Sequence, residues 1–538
     1  MSDIANSFDF IVCGAGSAGC VVAARLSESG RYSVLLLEAG PRDDAFWIDV
    51  PMGYPMLYMD PVHNWMFQGV PEPELGGRRL YHPRGKVLGG TGSINGMVYI
   101  RGHGRDYDLW RQMGCTGWSY EDVLPYFKKA EDQQRGPDAY HGVGGPLTVS
   151  DQPGFTELAD AVIAAAGEAG IPFNPDFNGA EQEGAGYYQT TTRGGRRLST
   201  ARAYLDPARS RPNLRIVTGA QATRVRIENG RATGVDYSTP AGPAAASARR
   251  EIVLAGGAFG SPQLLQLSGI GPGALLSRFG IPVIHDLPAV GSHLADHFFA
   301  SLILRCAKPV TMNDVANSWP RKLLAGAQYL FLKRGPLTGN GLSAGIFTRT
   351  DPSLERPDLQ INVGNWSAAG AGPKGITPHP HSGFTLNLVH LAPQAEGTVH
   401  IASSDPLAPP DIQHNFLAHR PDIDAMIAAV RIGRGILRQP ALQPYVAAEL
   451  TPDATVQSDA EIEAFVRANG AANHHPVGSC RMSPDGAGVV DPSLRVHGLD
   501  GLRVADASIM PSLPAGNTNA PSIMIGEKAA TMILEDAR

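Results

Sequence analysis

The N-terminal glycine turn Gly14-Ala15-Gly16-Ser17-Ala18-Gly19 constrains the fold of this chain more than any other feature. It follows an apolar strand at residues 8–13 and precedes a helix predicted from Cys20 to about Ser29. A second apolar strand, at residues 33–38, completes a βαβ unit. In such a unit the first glycine permits the tight turn, the second lets a pyrophosphate approach the backbone, and the third allows close helix–strand packing. The turn therefore predicts a dinucleotide-binding domain, in which the helix N-terminus offers free N–H groups to the phosphates.

An acidic residue, Glu38, ends the second strand about twenty residues after the turn, where a ribose diol is usually bound. Its carboxylate can accept hydrogen bonds from the two ribose hydroxyls. A carboxylate at this place would repel the 2′-phosphate of NADP, which leaves FAD and NAD as candidates.

A second glycine-rich segment lies at residues 84–99 and reads Arg84-Gly85-Lys86-Val87-Leu88-Gly89-Gly90-Thr91-Gly92-Ser93-Ile94-Asn95-Gly96-Met97-Val98-Tyr99. So many glycines are costly to order unless the backbone has to lie close against something flat or charged. We expect a second loop that holds the cofactor.

The length of 538 residues is too great for one ordinary core and predicts two domains. Strand patterns at 214–236 and 251–258, a helix at 261–268 with proline in its first turn, and a final helix at 521–534 extend the nucleotide domain. Residues 308–449 mix strands and helices, which favours an α+β region with an antiparallel sheet. The predicted fold is α/β, with a Rossmann-like domain (1–155, 197–307 and 465–538) interleaved with an α+β substrate-binding domain (156–196 and 308–464).

Composition excludes several classes of function. The net charge of −6 gives no basic face for nucleic acid. The spacing of the five cysteines matches no disulfide or metal-ligand pattern. We therefore expect no metal, and we expect the protein to be in the reducing cytoplasm. The cysteines are Cys13, Cys20, Cys115, Cys306 and Cys480. The first six residues do not resemble a secretory signal, and no apolar run reaches the ~18 residues of a membrane span. Peripheral contact with the inner membrane stays open.

Two late motifs carry the chemistry. Asn473-His474-His475-Pro476 supplies a titratable imidazole, and Asn517-Thr518-Asn519 supplies carboxamides. An alcohol is a poor hydride donor until its hydroxyl proton is removed, and a histidine suits that step. A dinucleotide together with such a base suggests redox chemistry on an alcohol.

Together these segments resemble the glucose–methanol–choline (GMC) oxidoreductases, in order along nearly the whole chain. Within that family the chain is most similar to bacterial alcohol dehydrogenases and choline-dehydrogenase-like enzymes, through residues 99–103 and 287–291. The motifs that carry the family resemblance are residues 14–19, 85–95, 257–262, 268–271, 475–482 and 516–521.

The resemblance implies FAD as the dinucleotide. Some members attach it covalently through a histidine at the position of Asn95, and since asparagine cannot form that bond we expect non-covalent FAD. The cofactor-binding positions that it implies, with the glycine turn, are Gly14, Gly16, Ser17, Ala18, Gly19, Glu38, Ala39, Gly89, Gly90, Thr91, Asn95, Gly96, Met97, Val98, Ala222, Asp506, Ala507, Asn517 and Thr518.

The resemblance also assigns the catalytic base to His475, with Asn519 hydrogen-bonded to the same substrate oxygen. Since neighbouring residues of an extended segment point in opposite directions, His474 is expected to face away from the flavin. His297 is expected to be a structural histidine.

The expected reaction is oxidation of a primary alcohol to an aldehyde, with electrons passed to a quinone or a redox protein. An alcohol oxidase that uses O2 and releases hydrogen peroxide is the alternative, and a hydroxynitrile lyase-like protein, which keeps FAD without redox chemistry, is an alternative from another class. A quaternary ammonium substrate such as choline would need aromatic faces and a carboxylate in the pocket, with Trp65, Trp366 and Tyr58 as candidates.

Overall fold

Two seven-stranded sheets organise the protein. The computed structural model describes residues 6–152, 157–372 and 375–538. The first sheet, here called the dinucleotide sheet, has a parallel part that continues into an antiparallel meander. In spatial order its strands are Leu214–Thr218, Val34–Glu38, Ser7–Cys13, Gly242–Leu254, Arg231–Thr239 and Gln221–Glu228, with Leu502–Val504 paired to Gly242–Leu254.

The predicted βαβ unit is confirmed as Ser7–Cys13, Ser17–Ser27 and Val34–Glu38. Every residue of Val34–Glu38 is buried, as expected for a parallel strand that is covered on both faces. The helix begins three residues earlier than predicted, directly after Gly16, so its N-terminus belongs to the glycine turn itself.

The second sheet, here called the antiparallel sheet, confirms the expected α+β region. The side chains of its strand Phe298–Cys306 are alternately buried and more exposed, and the helix Arg420–Leu437 covers the buried face. That helix lies so close that a Cβ on Gly433 would be 2.8 Å from Leu302 Cδ1. In spatial order the strands are Val446–Thr451, Phe298–Cys306, Gly383–His390, Leu359–Gly364, Leu342–Thr348 and Gly184–Tyr187, with Ala471–Ala472 paired to Phe298–Cys306.

Strand pairing bears on the proposed domain boundaries. Phe298–Cys306, which we assigned by sequence to the cofactor domain, pairs with Gly383–His390 along its whole length and belongs to the antiparallel sheet. We therefore propose that this boundary lies on the N-terminal side of Phe298. The boundary between residues 155 and 156 lies outside the described residues, and the remaining boundaries stay proposals.

Helices and short hairpins fill the space around the two sheets. No helix among the described residues is long and apolar enough to cross a membrane. The α-helices are Ser17–Ser27, Phe46–Asp49, Tyr54–Leu57, Gly104–Gln112, Tyr120–Ala130, Glu157–Glu168, Asp206–Ala208, Gly257–Leu267, Gly273–Arg278, Met312–Ala316, Trp319–Ala327, Arg420–Leu437, Asp459–Asn469 and Asn519–Asp536. The remaining strand pairings join Phe67–Glu72 to Arg78–His82, Glu131–Gln133 to Leu147–Asp151 and Gln189–Thr190, Thr192–Arg193 to Arg196–Arg197, Ile270–Gly271 to His285–Asp286, Ala368–Gly372 to Gly375–Pro378, and Thr398–His400 to Asp411–Gln413.

The helix Gly257–Leu267 begins four residues before the predicted start, so Pro262 lies inside it and not in its first turn. A proline there cannot donate to the carbonyl four residues earlier, which belongs to Ala258. The hydroxyl of Ser479 donates to that carbonyl instead, at 2.6 Å. A side chain from the late histidine motif thus replaces the hydrogen bond that the proline removes.

A column of stacked rings stands beside the antiparallel sheet. The ring of His82 stacks on that of His414 (centroids 4.8 Å apart), His414 stacks on Phe416 (4.7 Å), and Phe416 packs against Phe298 (5.0 Å). Among the described residues, neither ring nitrogen of His82 or His414 has a hydrogen-bond partner. Burial lowers the pKa of His82 to about 3 and holds the pKa of His414 well below its ordinary value.

We expect the protein to lose stability as the pH falls below about 6.5, the ordinary histidine pKa. Below that pH, His82 and His414 bind protons in the unfolded chain, whereas the folded chain keeps His82 neutral down to about pH 3. Each such histidine then lowers the free energy of unfolding by about 1.4 kcal/mol per pH unit. Thermal unfolding of the holoenzyme between about pH 7 and about pH 5 measures this slope.

The variant His82→Phe keeps a ring in the column but removes one titrating group, so its melting temperature should depend less steeply on pH. His419→Phe, at an exposed histidine, is the matched control and should keep the wild-type slope. Equal slopes for His82→Phe and the wild type would contradict this account.

Candidate active site

A cavity of about 440 Å³ lies between the two sheets. Ala222 lines it from the dinucleotide sheet, and Leu342, Asn362 and Asn387 line it from the antiparallel sheet. The size is within the range of pockets that hold small molecules, and a mainly apolar wall with a few polar groups is typical of such sites.

The glycine turn forms one wall of this cavity. Gly14 has φ +105°, and a Cβ on it would lie 2.5 Å from the carbonyl oxygen of Ala255, so only glycine fits. Gly16 is the N-cap of the helix Ser17–Ser27, and no side chain caps this helix end. The first N–H groups of the helix are thus left for a phosphate.

The second glycine-rich segment packs directly on the first. The backbone N–H of Gly89 donates to the carbonyl of Ala15 (2.8 Å), and a Cβ on Gly90 would lie 2.7 Å from Gly16 Cα. Two loops without side chains at their contact make a cradle of backbone, as expected for a loop that holds the cofactor.

Glu38 lies on the cavity wall with Ala39. Its two carboxylate oxygens accept the backbone N–H groups of Ala15 and Gly40, each at 2.9 Å. Burial raises the pKa of Glu38 to about 7. Each oxygen keeps a further acceptor position, so the carboxylate fits the ribose contact that its sequence position predicts.

Nearly all of the predicted cofactor-binding residues lie on this wall, and the exceptions are two glycines. A Cβ on Gly19 would lie 1.9 Å from the carbonyl oxygen of Gly14, and one on Gly89 would lie 2.3 Å from Ser93 Oγ, so these two glycines allow close packing behind the wall. The predicted residues on the wall are Gly14, Gly16, Ser17, Ala18, Glu38, Ala39, Gly90, Thr91, Asn95, Gly96, Met97, Val98, Ala222, Asp506, Ala507, Asn517 and Thr518.

Asp506 is held rigidly at the edge of the cavity. Its carboxylate accepts from the N–H of Gly257 (2.8 Å), the hydroxyl of Ser261 (2.6 Å) and the N–H of Ser508 (2.8 Å). With the uncapped helix end, the two glycine loops and Glu38, this donor and acceptor set fits a dinucleotide such as FAD.

The imidazole of His475 lies on the same wall. Its Nε2 is 3.0 Å from Nδ2 of Asn517, and its Nδ1 is 3.0 Å from Nδ1 of His297. Its backbone N–H donates to the carboxylate of Asp296 at 2.7 Å. Burial, followed by the neighbouring His297 and Arg84, holds the pKa of His475 well below its ordinary value, so the ring is neutral at neutral pH.

Hydrogen bonds assign the tautomer of His475. Gln360 donates to Oδ1 of Asn517 (3.3 Å), which turns the amide Nδ2 of Asn517 toward His475. Nε2 is therefore an acceptor, and Nδ1 carries the proton and donates to His297. Nδ2 of Asn473 is 3.3 Å from the same Nδ1, so Asn473 accepts this proton only with its amide turned to present Oδ1. The lone pair of Nε2 is thus on the side of the ring that meets Asn517.

The predicted pairing of Asn519 with the base is wrong, because Asn517 occupies that place. Asn519 is the first residue of the helix Asn519–Asp536, and its Nδ2 donates to the hydroxyl of Ser17 at 2.7 Å. It therefore ties the last helix to the glycine turn. Asn517 precedes the helix and is free to turn its amide toward the imidazole.

Two further histidine predictions need correction. His474 has φ +64° and is not extended, so the alternation rule does not apply to it, and it lines the cavity together with His475. His297, predicted to be a structural histidine, contacts the imidazole of His475 directly. The neighbouring Asp296 also binds His475, by accepting its backbone N–H.

The charges on the cavity wall are unevenly distributed. Among the described residues that line it, only Glu38 and Asp506 are acidic, and backbone and hydroxyl groups already bind both. Arg84 is the cation beside His475, with its Nη2 donating to the carbonyl of His474 at 2.7 Å. The described residues contain no group of three or more His, Cys, Asp or Glu side chains that could hold a metal ion.

The same wall carries the aromatic side chains Tyr54, Tyr58, Trp65 and Phe67. Trp65 is already engaged, because Nζ of Lys86 lies 4.7 Å from its ring centroid and Phe67 stacks on it at 5.6 Å. These rings give the cavity apolar surface, but the indole ring already has a cation of the protein over it.

Sequence relatives cover almost the whole chain. The chain is 43% identical to an alcohol dehydrogenase (acceptor) of Pseudomonas putida over 538 residues, which is 98% of this chain and 96% of the relative. It is 44% identical to an oxygen-dependent choline dehydrogenase of Pseudomonas aeruginosa (strain LESB58), over 98% of this chain and 95% of the relative.

Solved structures show the same architecture. Pyridoxine 4-oxidase from Mesorbium loti superposes with a TM-score of 0.88 at 31% identity, covering 97% of this chain and 98% of that one. A formate oxidase of Aspergillus oryzae RIB40, described in a study of FAD modification, superposes with a TM-score of 0.92 at 28% identity, covering 99% and 98%. Models of the GMC oxidoreductase family match residues 8–299 and 393–526. The chain therefore belongs to the GMC oxidoreductases, the FAD-dependent enzymes that act on CH–OH donors.

Proposed function

We propose that this enzyme oxidises neutral primary alcohols to aldehydes, with His475 as the base that removes the hydroxyl proton. What supports this role is the neutral imidazole of His475, whose Nε2 acceptor faces Asn517 on the cavity wall. A base must be unprotonated and within hydrogen-bond reach of the proton that it takes, and this ring meets the first condition at neutral pH.

In the proposed mechanism His475 and Asn517 share the substrate oxygen. The substrate hydroxyl takes the place of the Asn517 amide at Nε2 of His475, and Nε2 accepts the hydroxyl proton. Asn517 then donates an N–H to the substrate oxygen as that oxygen gains negative charge. His297 accepts from Nδ1 and keeps the imidazole in the required tautomer. Bound FAD supplies the acceptor for the hydride that leaves the substrate carbon.

A chain of hydrogen bonds from the antiparallel sheet holds Asn517 in place. Gln360 donates to Oδ1 of Asn517 and to the hydroxyl of Tyr188 (2.8 Å), and that hydroxyl donates to Asn362 (2.7 Å). All three of these supporting side chains are buried. Rigid support of this kind fixes the donor before the reaction begins, which lowers the cost of orientation.

We further propose that FAD is bound without a covalent bond. Asn95, at the position where some family members carry the attaching histidine, lines the cavity. Its Oδ1 accepts from Nη1 of Arg197 (2.9 Å) and from the N–H of Met97 (3.0 Å), so its side chain has a structural task instead.

For the electron acceptor we propose a quinone or another acceptor rather than O2, on the likeness to the alcohol dehydrogenase (acceptor) of Pseudomonas putida. Mixing the enzyme with alcohols under argon and then admitting air, followed by a peroxide assay, tests this choice. Slow reoxidation in air, without peroxide, is expected. Rapid reoxidation with peroxide would identify an oxidase, and a flavin that no alcohol reduces would favour a lyase.

The substrate class follows from the charge of the wall. A quaternary ammonium group is stabilised by a carboxylate and by open aromatic faces. Here both lining carboxylates are bound by protein groups, Lys86 covers Trp65, and Arg84 adds positive charge beside His475. The carboxylate of Asp296, which binds the backbone N–H of His475, is buried behind the wall and does not line the cavity. A cation would therefore be disfavoured near the base, and we propose that the substrate is uncharged.

Replacing the base tests its role. We expect His475→Ala to bind FAD but to reduce it with alcohol about 10²- to 10⁴-fold more slowly, because proton removal no longer has a catalyst. Anaerobic stopped-flow absorbance of the flavin measures the rate. His419→Ala, at an exposed histidine, should behave like the wild type. Near-normal reduction by His475→Ala would remove this residue from the base role.

The same experiment should distinguish the roles of Asn517 and Asn519. Asn517→Ala should lower kcat/KM about 10- to 100-fold at normal flavin content, since it removes a donor to the developing oxyanion. Asn519→Ala should act mainly on FAD retention, measured as the flavin-to-protein ratio, because it loses the bond to Ser17. If flavin-loaded Asn519→Ala were reduced more slowly than the wild type, while Asn517→Ala were reduced at the normal rate, Asn519 and not Asn517 would be the partner of His475.

A pair of isosteric alcohols tests the substrate class. 3,3-Dimethylbutan-1-ol has the shape of choline but carries a carbon in place of the charged nitrogen. We expect the neutral alcohol to have a kcat/KM at least about tenfold higher, which corresponds to about 1.4 kcal/mol. Steady-state assays with an artificial acceptor measure the ratio, and a preference for choline would overturn the proposed selectivity.

A further inference from the structure

An exposed apolar surface lies far along the chain from the catalytic motifs. The helix Trp319–Ala327 and the following turn Gln328–Leu332 carry large apolar side chains in water, here called the apolar face. Such a concentration of exposed apolar side chains marks an interaction site in a folded protein. Its members and their exposed fractions are Trp319 (75%), Leu323 (67%), Leu324 (60%), Leu330 (55%), Phe331 (83%) and Leu332 (64%).

The face is one continuous surface. Trp319 and Leu323 are four residues apart on the helix and therefore lie on the same side of it. The turn that bears Phe331 follows the helix without a break. The ring of Phe46, which is half exposed, packs edge-on against Tyr329 at 6.4 Å, so the segment that contains Phe46 and Trp47 borders this surface.

Basic residues flank the face along the chain, and the segment that forms it contains no acidic residue. Between Asp314 and Asp351 the sequence contains no acidic residue, although the whole chain has a net charge of −6. Within the described residues, none of the flanking cations forms an ion pair with a carboxylate. These cations are Arg321, Lys322, Lys333 and Arg334.

We propose that the apolar face docks the enzyme on the surface of a bilayer that contains anionic phospholipid. Tryptophan, phenylalanine and leucine enter the boundary between headgroups and acyl chains, and lysine and arginine beside them attract the lipid phosphates. The combination of a bulky apolar centre with cations that have no carboxylate partner among the described residues fits this occupant better than a protein partner, whose contact surface would mix charges of both signs. Asp49, which accepts from the hydroxyl of Tyr329 at 3.2 Å, is already paired with Arg196 and Arg202. The helix has nine residues and lies on the membrane instead of crossing it.

The docked orientation brings the cavity close to the lipid. The segment that borders the apolar face continues from Trp47 to Tyr54 and Tyr58, which line the cavity. Membrane docking therefore puts a wall of the cavity at the membrane surface. The inference rests on the exposed side chains and their charges, and it holds whichever alcohol the enzyme oxidises.

Vesicle sedimentation of the purified holoenzyme tests the proposal. We expect the enzyme to sediment with phosphatidylcholine vesicles that contain about a quarter phosphatidylglycerol, and at least about tenfold less with phosphatidylcholine alone. The double variant Leu323→Ser/Phe331→Ser should bind the anionic vesicles at least about tenfold more weakly. Phe173→Ser, at an apolar side chain that is 59% exposed elsewhere, is the matched control and should bind like the wild type.

A charge variant and a size measurement complete the test. Arg321→Gln/Lys322→Gln should weaken binding to anionic vesicles, and added salt should weaken wild-type binding, while Arg224→Gln/Arg278→Gln should have no effect. All variants should keep their flavin and their rate with a water-soluble acceptor. Failure of the wild type to bind anionic vesicles would overturn the proposal, as would unchanged binding by the Leu323/Phe331 variant. A dimer in solution that this variant splits would assign the face to a second copy instead.

Discussion

Close packing between the first and last helices is the constraint on which the site depends. A Cβ on Gly526 would lie 2.9 Å from both the carbonyl oxygen of Ala18 and Cβ of Val21, so the helices meet without a side chain between them. Beside this contact, the buried carboxylate of Glu527 binds Arg25 (2.8 Å) and Lys129 (2.9 Å). A buried carboxylate without its cations would be strongly destabilising, so this pairing fixes where the last helix can lie. The residues that immediately precede the last helix are therefore positioned by it.

Sequence patterns predicted the parts of the site that are local in the chain. The glycine turn, Glu38 and the second glycine loop carry their geometry in their own residues, and all were found on one cavity as expected. The sequence could not predict which asparagine contacts His475. Asn517 and Asn519 are only two residues apart, and the way the last helix packs decides which of them faces the imidazole. The contact of His297 with His475 joins two loop residues that are 178 positions apart, and no local pattern reports it.

The charges around the cavity support the proposed preference for an uncharged substrate. Burial keeps the imidazole of His475 neutral, Arg84 lies beside it, and the lining carboxylates are occupied by backbone and hydroxyl donors.

The two sheets support different parts of the site. The dinucleotide sheet positions the backbone cradle, and the antiparallel sheet holds Asn517 through Gln360. A change of substrate in such a fold can come from the antiparallel sheet without disturbing the cradle.

The bond between Ser17 and Asn519 joins residues 502 positions apart. At a synthesis rate of about 5–20 residues per second, the nucleotide turn leaves the ribosome roughly 25 to 100 s before its C-terminal partner exists. The cradle therefore stays incomplete until the end of the chain has been made, and with Asn519 in its proposed role, tight binding of FAD follows translation. A prematurely terminated chain that lacks the final helix would then contain a nearly complete set of motifs but could not retain the flavin.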